Sequence, residues 1–331
     1  MKDLKVGIVG FGRIAAIHAD AWRSVGGVNL VSICDESASA RDRAAAKGLQ
    51  TYDSLASMLD GEELDAVSIC TPPVSHASQA IQALNYGVHV LCEKPLTEAL
   101  ATTADVLECA AGLGLALQMA TKFRHAPEVK LAKQLIELGE IGDPLTFHIE
   151  FASAVDMSTR WNANPAISGG GVIIDCGSHA LDLVNFVFGS LDKVQVLPIK
   201  AVQNLPVEDQ AMLLVSAGKR VFGEIMLSWS LSSSSDTYLS ICGKKGTINL
   251  GWKSAFLEKE GKEAVKLSHG YDKKVAHHNM MEQFRDMVLG KREGWITNQE
   301  ILTNAAAISS CYASMTNHSW TGISMRGPMA A

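Results

Sequence analysis

The sequence predicts two domains: an α/β domain built on a doubly wound parallel sheet, then an α+β domain with a mostly antiparallel sheet. Three observations lead there. The chain has 331 residues, and domains usually run to about 100–200. Its first third alternates short β-branched runs with helical patterns, the rhythm of strand–helix–strand units. After about residue 122 that rhythm stops, and strand-like segments follow one another across short Gly-Lys turns, as antiparallel neighbours require.

In the first domain, 1–121, the strand-like runs are 5–9, 29–34, 66–70, 88–92 and 115–119, separated by helical patterns over 13–24, 38–47, 74–86 and 97–111. The runs are continuously apolar, so both faces are buried, as in a parallel sheet covered by helices. Right-handed crossovers then give the doubly wound order. The second domain, 122–331, opens with a helix over 127–138 that has proline in its first turn and stops at Gly139. Strands follow at 145–151, 194–202, 210–216, 221–229, 237–242 and 247–250, with turns at Gly218-Lys219 and 243–246. A helix-like stretch over 171–188 interrupts them, and helices over 277–289 and 299–315 close the chain.

Composition excludes several classes. Hydrophobic residues are 47% and charged residues 19%, with only 28 Gly and 9 Pro, which is a globular and not a disordered or fibrous chain. A net charge of −6 leaves no basic surplus for a phosphate backbone or an anionic membrane, so neither is an expected partner. Seven cysteines without a C-x-x-C pair suit a reducing compartment. The first apolar run is short and halted by Arg13, which makes it a strand and a poor signal peptide. The longest stretch without acidic or basic side chains, 301–325, is broken by Asn304, Ser309, Ser310, Asn317 and His318 and is no bilayer span. A cytoplasmic location is expected.

The first chemical motif is VGIVGFGRIA, residues 6–15, where Gly10, Gly12 and Ala15 make G-x-G-x-x-A. The glycines let the chain turn sharply and let backbone N–H groups approach a pyrophosphate, whose charge the following helix N-terminus favours. Gly10, Phe11, Gly12, Arg13 and Ile14 are therefore expected to cradle a dinucleotide. Asp35 ends the second strand 20 residues after Ala15, where a carboxylate accepts from a ribose 2′-hydroxyl. Glu36 follows, and a 2′-phosphate would meet two carboxylates, so NAD is favoured over NADP. Arg41 and Arg43 are the cations within reach of that edge.

Two further motifs lie at the carboxyl edge of the sheet, where open α/β folds bind ligands. In CTPPVSH, residues 70–76, two prolines end the strand, and Thr71, Pro72 and His76 are placed to flank the cofactor. For His76, a purely structural hydrogen bond is the equal alternative. In CEKPLTE, residues 92–98, Pro95 keeps Lys94 out of a helix, so Glu93 and Lys94 stand in an extended turn at the nicotinamide end. The fourth motif is SGGGVIIDCGSH, residues 168–179. Asp175 and His179 are four apart and share a helical face, with Asp182 further along the stripe, and Gly169, Gly170 and Gly171 permit a close backbone approach. An imidazole beside a carboxylate suits acid/base chemistry; an ordinary helical ion pair is the alternative.

Taken in order, VGIVGFGRIA, Asp35, CTPPVSH, CEKP and G-G-G-x-x-x-D-x-G-x-H resemble the glucose-fructose oxidoreductase, inositol dehydrogenase and rhizopine-catabolism family of NAD(P)-dependent oxidoreductases, over essentially the whole chain. The resemblance implies a Rossmann domain followed by a domain whose large open sheet makes a homodimer or homotetramer, with Ile225, Leu227, Trp229 and Leu239 on interface segments. It implies that Lys94 and His179 are catalytic, that Asp175 binds substrate and that the Lys94–Pro95 bond is cis. The reaction it implies is hydride transfer between NAD and a secondary alcohol of a sugar, cyclitol or sugar derivative. His179 would remove the hydroxyl proton while Lys94 stabilises the charge developing on that oxygen. A redox-neutral relative that retains NAD through its cycle, of aldose oxidoreductase or glycosidase type, stays open. So does a non-catalytic NAD-sensing regulator, against which Lys94 and His179 together speak.

Other residues complete the candidate set. TKFRHAP, residues 121–127, departs from the Asn/Arg segment of relatives and offers Lys122 to the nicotinamide side and the substrate. Residues 155–162 offer Asp156, Arg160, Trp161 and Asn162 to a substrate pocket, a loop packed on the sheet being the equal alternative. His277 and His278 diverge on a helix and read as a solvated face. No Cys/His cluster has zinc spacing, so no metal is expected, and Trp229, Trp252, Trp295 and Trp320 read as core or interface aromatics.

Overall fold

The computed structural model describes residues 3–197, 199–218 and 221–325. The chain forms two compact units: one runs up to Lys122 and includes His277–Ile301, the other is Phe123–Ala276 with the residues from Leu302 on. The second domain expected over 122–331 differs from this division at Lys122 and at 277–301, both of which belong to the first unit. Residues 277–301 return to the first unit because Met280, Met281 and Phe284, each at most 1% exposed, complete its core beside Val6, Ile8 and Trp22.

The first unit runs β1 (Leu4–Val9), α1 (Arg13–Ser24), β2 (Val28–Cys34), α2 (Ala38–Ala45), β3 (Gln50–Tyr52), α3 (Leu55–Gly61), β4 (Ala66–Ile69), α4 (His76–Asn85), β5 (His89–Glu93), α5 (Leu100–Leu113) and β6 (Leu117–Ala120). The six strands pair in parallel in the order β3-β2-β1-β4-β5-β6. Winding reverses between β1 and β4, and the crevice at their carboxyl ends is where this topology receives ligands. β3 and α3 lie where the sequence pattern marks no element. β3 is a three-residue edge strand, and α3 starts from a reciprocal Ser54–Ser57 capping box in place of the usual Ser-x-x-Glu.

The remaining elements are α6 (Pro127–Glu137), β7 (Pro144–Ala152), α7 (Pro165–Ser168), α8 (Ser178–Phe188), β8 (Leu191–Leu197), β9 (Gln210–Ala217), β10 (Val221–Ser228), β11 (Thr237–Gly243), β12 (Gly246–Gly251), β13 (Ala255–Glu258), β14 (Val265–Ser268), α9 (Lys273–Val288), α10 (Asn298–Asn317) and β15 (Thr321–Gly322). The second unit holds a nine-stranded sheet ordered β14-β13-β12-β11-β7-β10-β9-β8-β15, antiparallel except for the β7–β10 pair. The strand expected at 194–202 begins earlier, at Leu191, and residue 198 lies outside the described residues, as does Lys219 of the expected Gly218-Lys219 turn. Pro165–Phe188 is apolar enough to cross a bilayer by length and composition, with mean hydropathy 1.3, but 78% of that window is buried within the fold.

Strand alternation sorts this sheet into two faces. Ile225, Leu227, Trp229 and Leu239, expected at a subunit interface, are each at most 3% exposed within the chain itself. They share the inner face with Phe147 and Ile149, and their register leaves no side chain of theirs outside. The outer face carries a groove lined by Thr146, His148, Leu214, Glu224 and Ser240, with Phe222 and Trp320 exposed at 43% and 40%.

Candidate active site

In the first unit the glycine motif has a geometry that fits a phosphate cradle. Gly10 adopts φ +79°, and a Cβ there would stand 2.8 Å from the Thr71 side chain. Gly12, at the cap of α1, has open space where a Cβ would stand, and no side chain caps the first turn of that helix. Arg13 is exposed and Ile14 half-buried beside it. The Asp35 carboxylate accepts from the Phe11 amide at 2.6 Å and the Ser37 amide at 2.8 Å, so it is aimed before any ligand arrives. These residues fit a dinucleotide: glycine backbone and helix N-terminus for the pyrophosphate, and an oriented carboxylate for a ribose diol. Arg41 donates to the Asp35 and Glu36 carbonyls at 2.8 and 2.9 Å, and Arg43 to the Phe11 carbonyl at 3.3 Å, which brings both guanidinium groups to this edge.

The loops after β4 and β5 are braced together. Buried His76 places Nδ1 2.9 Å from the Pro95 carbonyl and Nε2 2.8 Å from the Thr71 carbonyl. Both partners only accept, so a neutral ring satisfies one at a time, and burial pushes the imidazole pKa down. The Thr71 hydroxyl donates inward to Gln79 at 2.6 Å, while Pro72 is half-buried and leads a short 3-10 turn. His76 and the Thr71 hydroxyl thus shape the loop from within.

Lys94 is half-buried after the end of β5, and its bond to Pro95 is cis. Beneath it, Glu93 is 9% exposed and accepts from the Lys94 amide at 3.2 Å, with His18 Nε2 at 2.8 Å. His18, wholly buried, meets the Ser68 hydroxyl at 2.9 Å through Nδ1 and the ring of buried His277 at 5.9 Å. Burial by itself raises the Glu93 carboxyl, but the His18 hydrogen bond and the charges of His18, Lys94 and His277 outweigh it and hold the pKa down at about 2. The expectation of a solvated His277 is corrected here: that ring packs inside the first unit, and only His278 stands nearer the surface, 2.7 Å from the Ser24 hydroxyl.

In the second unit Asp175 lies on a π-helical turn, Ile173–Gly177, that leads into α8, where His179 is the second residue; both side chains are half-buried. Such turns are frequent at functional sites. Of the three glycines before it, Gly170 and Gly171 approach the protein itself. A Cβ on Gly170 would stand 1.9 Å from the Tyr312 hydroxyl, and one on Gly171 2.1 Å from the Glu208 carbonyl. One Glu208 carboxylate oxygen gathers the amides of Gly171 and Ile173, both at 3.0 Å, and the Tyr312 hydroxyl at 2.9 Å. Sequence spacing does not reveal this clamp, because Glu208 is 37 residues from Gly171; only the glycine run signals it. Asp182, further along the stripe, is withdrawn from acid/base work: it is 1% exposed and forms a two-pronged pair with fully buried Arg124 at 2.6 and 3.1 Å.

The His179 ring meets Phe123 edge-on at 5.3 Å, and Phe123 belongs to a cluster with Phe151, Tyr238, Trp252 and Tyr271. Trp252 is 40% exposed, at the edge of that cluster and outside the core. Lys122, half-buried, closes the first unit and opens a short turn whose Phe123, Arg124 and His125 are buried. Arg160 is half-buried and Trp161 43% exposed on the segment between β7 and α7, where hydrogen bonds from Ser158, and then Arg160, lower the Asp156 pKa.

A family model described as an oxidoreductase family with an NAD-binding Rossmann fold matches residues 4–121, and the model of the GFO/IDH/MocA C-terminal domain matches 129–249. D-apiose dehydrogenase of Paraburkholderia graminis is 27% identical over 259 residues, covering 76% of this chain and 68% of the relative. Inositol 2-dehydrogenase of Mycolicibacterium smegmatis is 27% identical over 268 residues, 78% of this chain and 75% of its own. The fold matches that of levoglucosan dehydrogenase, solved with NADH and levoglucosan, with a TM-score of 0.89 at 18% identity over 97% of this chain and all of that one. With an Asp35-marked glycine cradle in one unit and the Asp175–His179 turn in the other, the chain belongs to the GFO/IDH/MocA family of NAD-binding oxidoreductases.

Proposed function

We propose that this protein is an NAD-dependent dehydrogenase acting on a secondary alcohol or ketone carbon of a sugar, cyclitol or sugar derivative. The observation that carries the reading is the Asp175–His179 turn, a half-exposed imidazole one turn after a carboxylate on a segment held rigid by Glu208. NAD, when bound, supplies the ring that accepts hydride. Gly10, Phe11, Gly12, Arg13 and Ile14 hold its pyrophosphate and Asp35 its adenosine ribose, while Thr71, Pro72, His76 and Glu93 set the path of the flanking loops. In the second unit His179 is the group to take the proton of the substrate hydroxyl and Asp175 to accept from a neighbouring hydroxyl, and in the first unit Lys94 is the donor assigned to developing negative charge. Lys122, Arg160 and Trp161 contribute to the substrate rim. The names of the apiose, inositol and levoglucosan enzymes support a polyhydroxylated substrate.

The same reading places the protein in the cytoplasm, in keeping with seven cysteines of which no two form a disulfide among the described residues. It also makes the protein a homodimer or homotetramer through the outer sheet face with Phe222 and Trp320. The deciding experiment is a screen of polyols, sugars and nucleotide sugars with NAD, followed at the NADH absorbance band. Turnover of a secondary alcohol supports the reading. NAD binding with no turnover of any compound would favour a sensor, and conversion without net NADH would favour a redox-neutral enzyme.

A further inference from the structure

We propose that Trp252 and Tyr271, backed by Phe123, form a stacking platform for the apolar face of a cyclic polyol, which makes the His179 site selective for ring-form over open-chain substrates. The inference rests on the dehydrogenase reading and narrows its substrate class. The Trp252 indole lies among four rings, with centroids 4.8 Å away for Tyr238, 5.8 Å for Tyr271, 6.1 Å for Phe151 and 6.2 Å for Phe123. Tyr238, Phe123 and Phe151 are at most 8% exposed, yet Trp252 keeps 40% of its surface open. The Phe123 ring that supports the indole also meets the His179 imidazole, at 5.3 Å and 79°. The open aromatic surface and the acid/base group therefore belong to one ring cluster of the second unit.

The platform is held from its backbone as well. The Trp252 amide donates to the Asp236 carbonyl at 2.8 Å. Gly270, next to Tyr271, sits so close that a Cβ there would stand 2.6 Å from the Trp252 carbonyl oxygen. Tyr238 is anchored in turn by its hydroxyl, which donates to buried Glu128 at 3.2 Å. A ring fixed by its neighbours gives up little conformational freedom when a ligand stacks on it, and an indole face carries the negative side of the ring quadrupole. A pyranose or cyclitol chair presents a patch of C–H groups on one face and hydroxyls around its rim. Its C–H face matches the indole, and its rim hydroxyls are the groups on which the imidazole would act. An extended alditol offers no such face.

The test compares full-length wild type, Trp252→Ala and Trp252→Phe at saturating NAD, with a cyclitol and a methyl glycoside set against sorbitol. For cyclic substrates Trp252→Ala should raise KM about tenfold or more with kcat within about threefold, and Trp252→Phe should recover most of the loss. The loss should be several-fold larger for cyclic than for open-chain compounds. Calorimetric affinity of each compound for the protein–NAD complex is measured in parallel, with NAD affinity confirming that every variant is folded. Equal losses for both classes, or unchanged affinity for the cyclic ones, overturns the platform. Wild type that oxidises none of the compounds overturns the dehydrogenase reading, and the calorimetric comparison then decides the platform alone.

Discussion

The Glu208 carboxylate holds the Gly171 amide at 3.0 Å and, through the same oxygen, the Ile173 amide and the Tyr312 hydroxyl. Three donors on one oxygen fix the entry to the π-turn that carries Asp175. Burial, with the Glu208 charge beside it, raises the Tyr312 pKa far above its ordinary value, so the hydroxyl remains a donor at every working pH. Glu208→Ala should cost about 3 kcal/mol or more, since it removes three hydrogen bonds to a charged group, each worth about 1.5–3 kcal/mol. Gly170→Ala should cost about 1–3 kcal/mol through overpacking against Tyr312. Urea unfolding of both variants checks this, and an unchanged midpoint for either would remove the clamp from the account.

Cofactor choice should turn on Asp35. Its carboxylate is pre-aimed by Phe11 and Ser37, and Arg41 and Arg43 already stand at the same edge. Asp35→Ala should weaken NAD by about 1–3 kcal/mol and narrow its advantage over NADP, because a charged acceptor is lost and a like-charge repulsion with the 2′-phosphate disappears. Calorimetric titration with both cofactors gives the answer. Wild type that binds NADP as tightly as NAD contradicts the assignment.

Lys94→Ala and His179→Ala should each lower turnover by about 10²–10⁴ while leaving NAD affinity nearly unchanged. If both groups serve one transition state, the double variant should lose less than the product of the single losses. Single-turnover NADH formation, alongside fluorescence titration of the cofactor, separates the two effects. Near-normal turnover of His179→Ala across the pH range would move the search for the base to Lys122.

The buried Glu93 links stability to acid. Its pKa is about 2 in the folded chain against an ordinary 4.5, so the folded state binds this proton less readily than the unfolded one. The contribution is therefore complete above about pH 4.5 and is lost as pH falls toward 2. Glu93→Gln should flatten the stability profile between pH 5 and pH 2 by on the order of 1–3 kcal/mol. Denaturant midpoints measured across that range test it, and parallel profiles for the two proteins would refute the linkage.

The outer sheet face should be covered in solution. Phe222 and Trp320 are exposed and stand edge to face at 6.5 Å, with the Lys193 ammonium 4.8 Å from the Trp320 ring. Light scattering at micromolar concentration should give at least twice the 35.4 kDa chain mass, and Phe222→Asp should reduce it without loss of secondary structure. A wild-type monomer contradicts the assembly.

Local pattern alone determined much of this protein. Apolar runs separated by helical periods specify the parallel sheet, and the bounds of α1 were legible to the residue from its glycine cap and its last serine. G-x-G-x-x-A with Asp35 placed the cofactor edge, because a turn, a helix N-terminus and a strand end are neighbours in sequence as well as in space. Tertiary structure decided the rest. Glu208 reaches Gly171 across 37 residues, His277 returns to pack on His18, and Asp182 leaves the Asp175–His179 stripe for Arg124. Ile225, Leu227 and Leu239, expected on interface segments, are buried within the chain, and alternation gives two faces without saying which one the helices cover. Hydrogen bonds, ion pairs and burial between distant segments depend on how the chain closes on itself, and no periodicity along it encodes that.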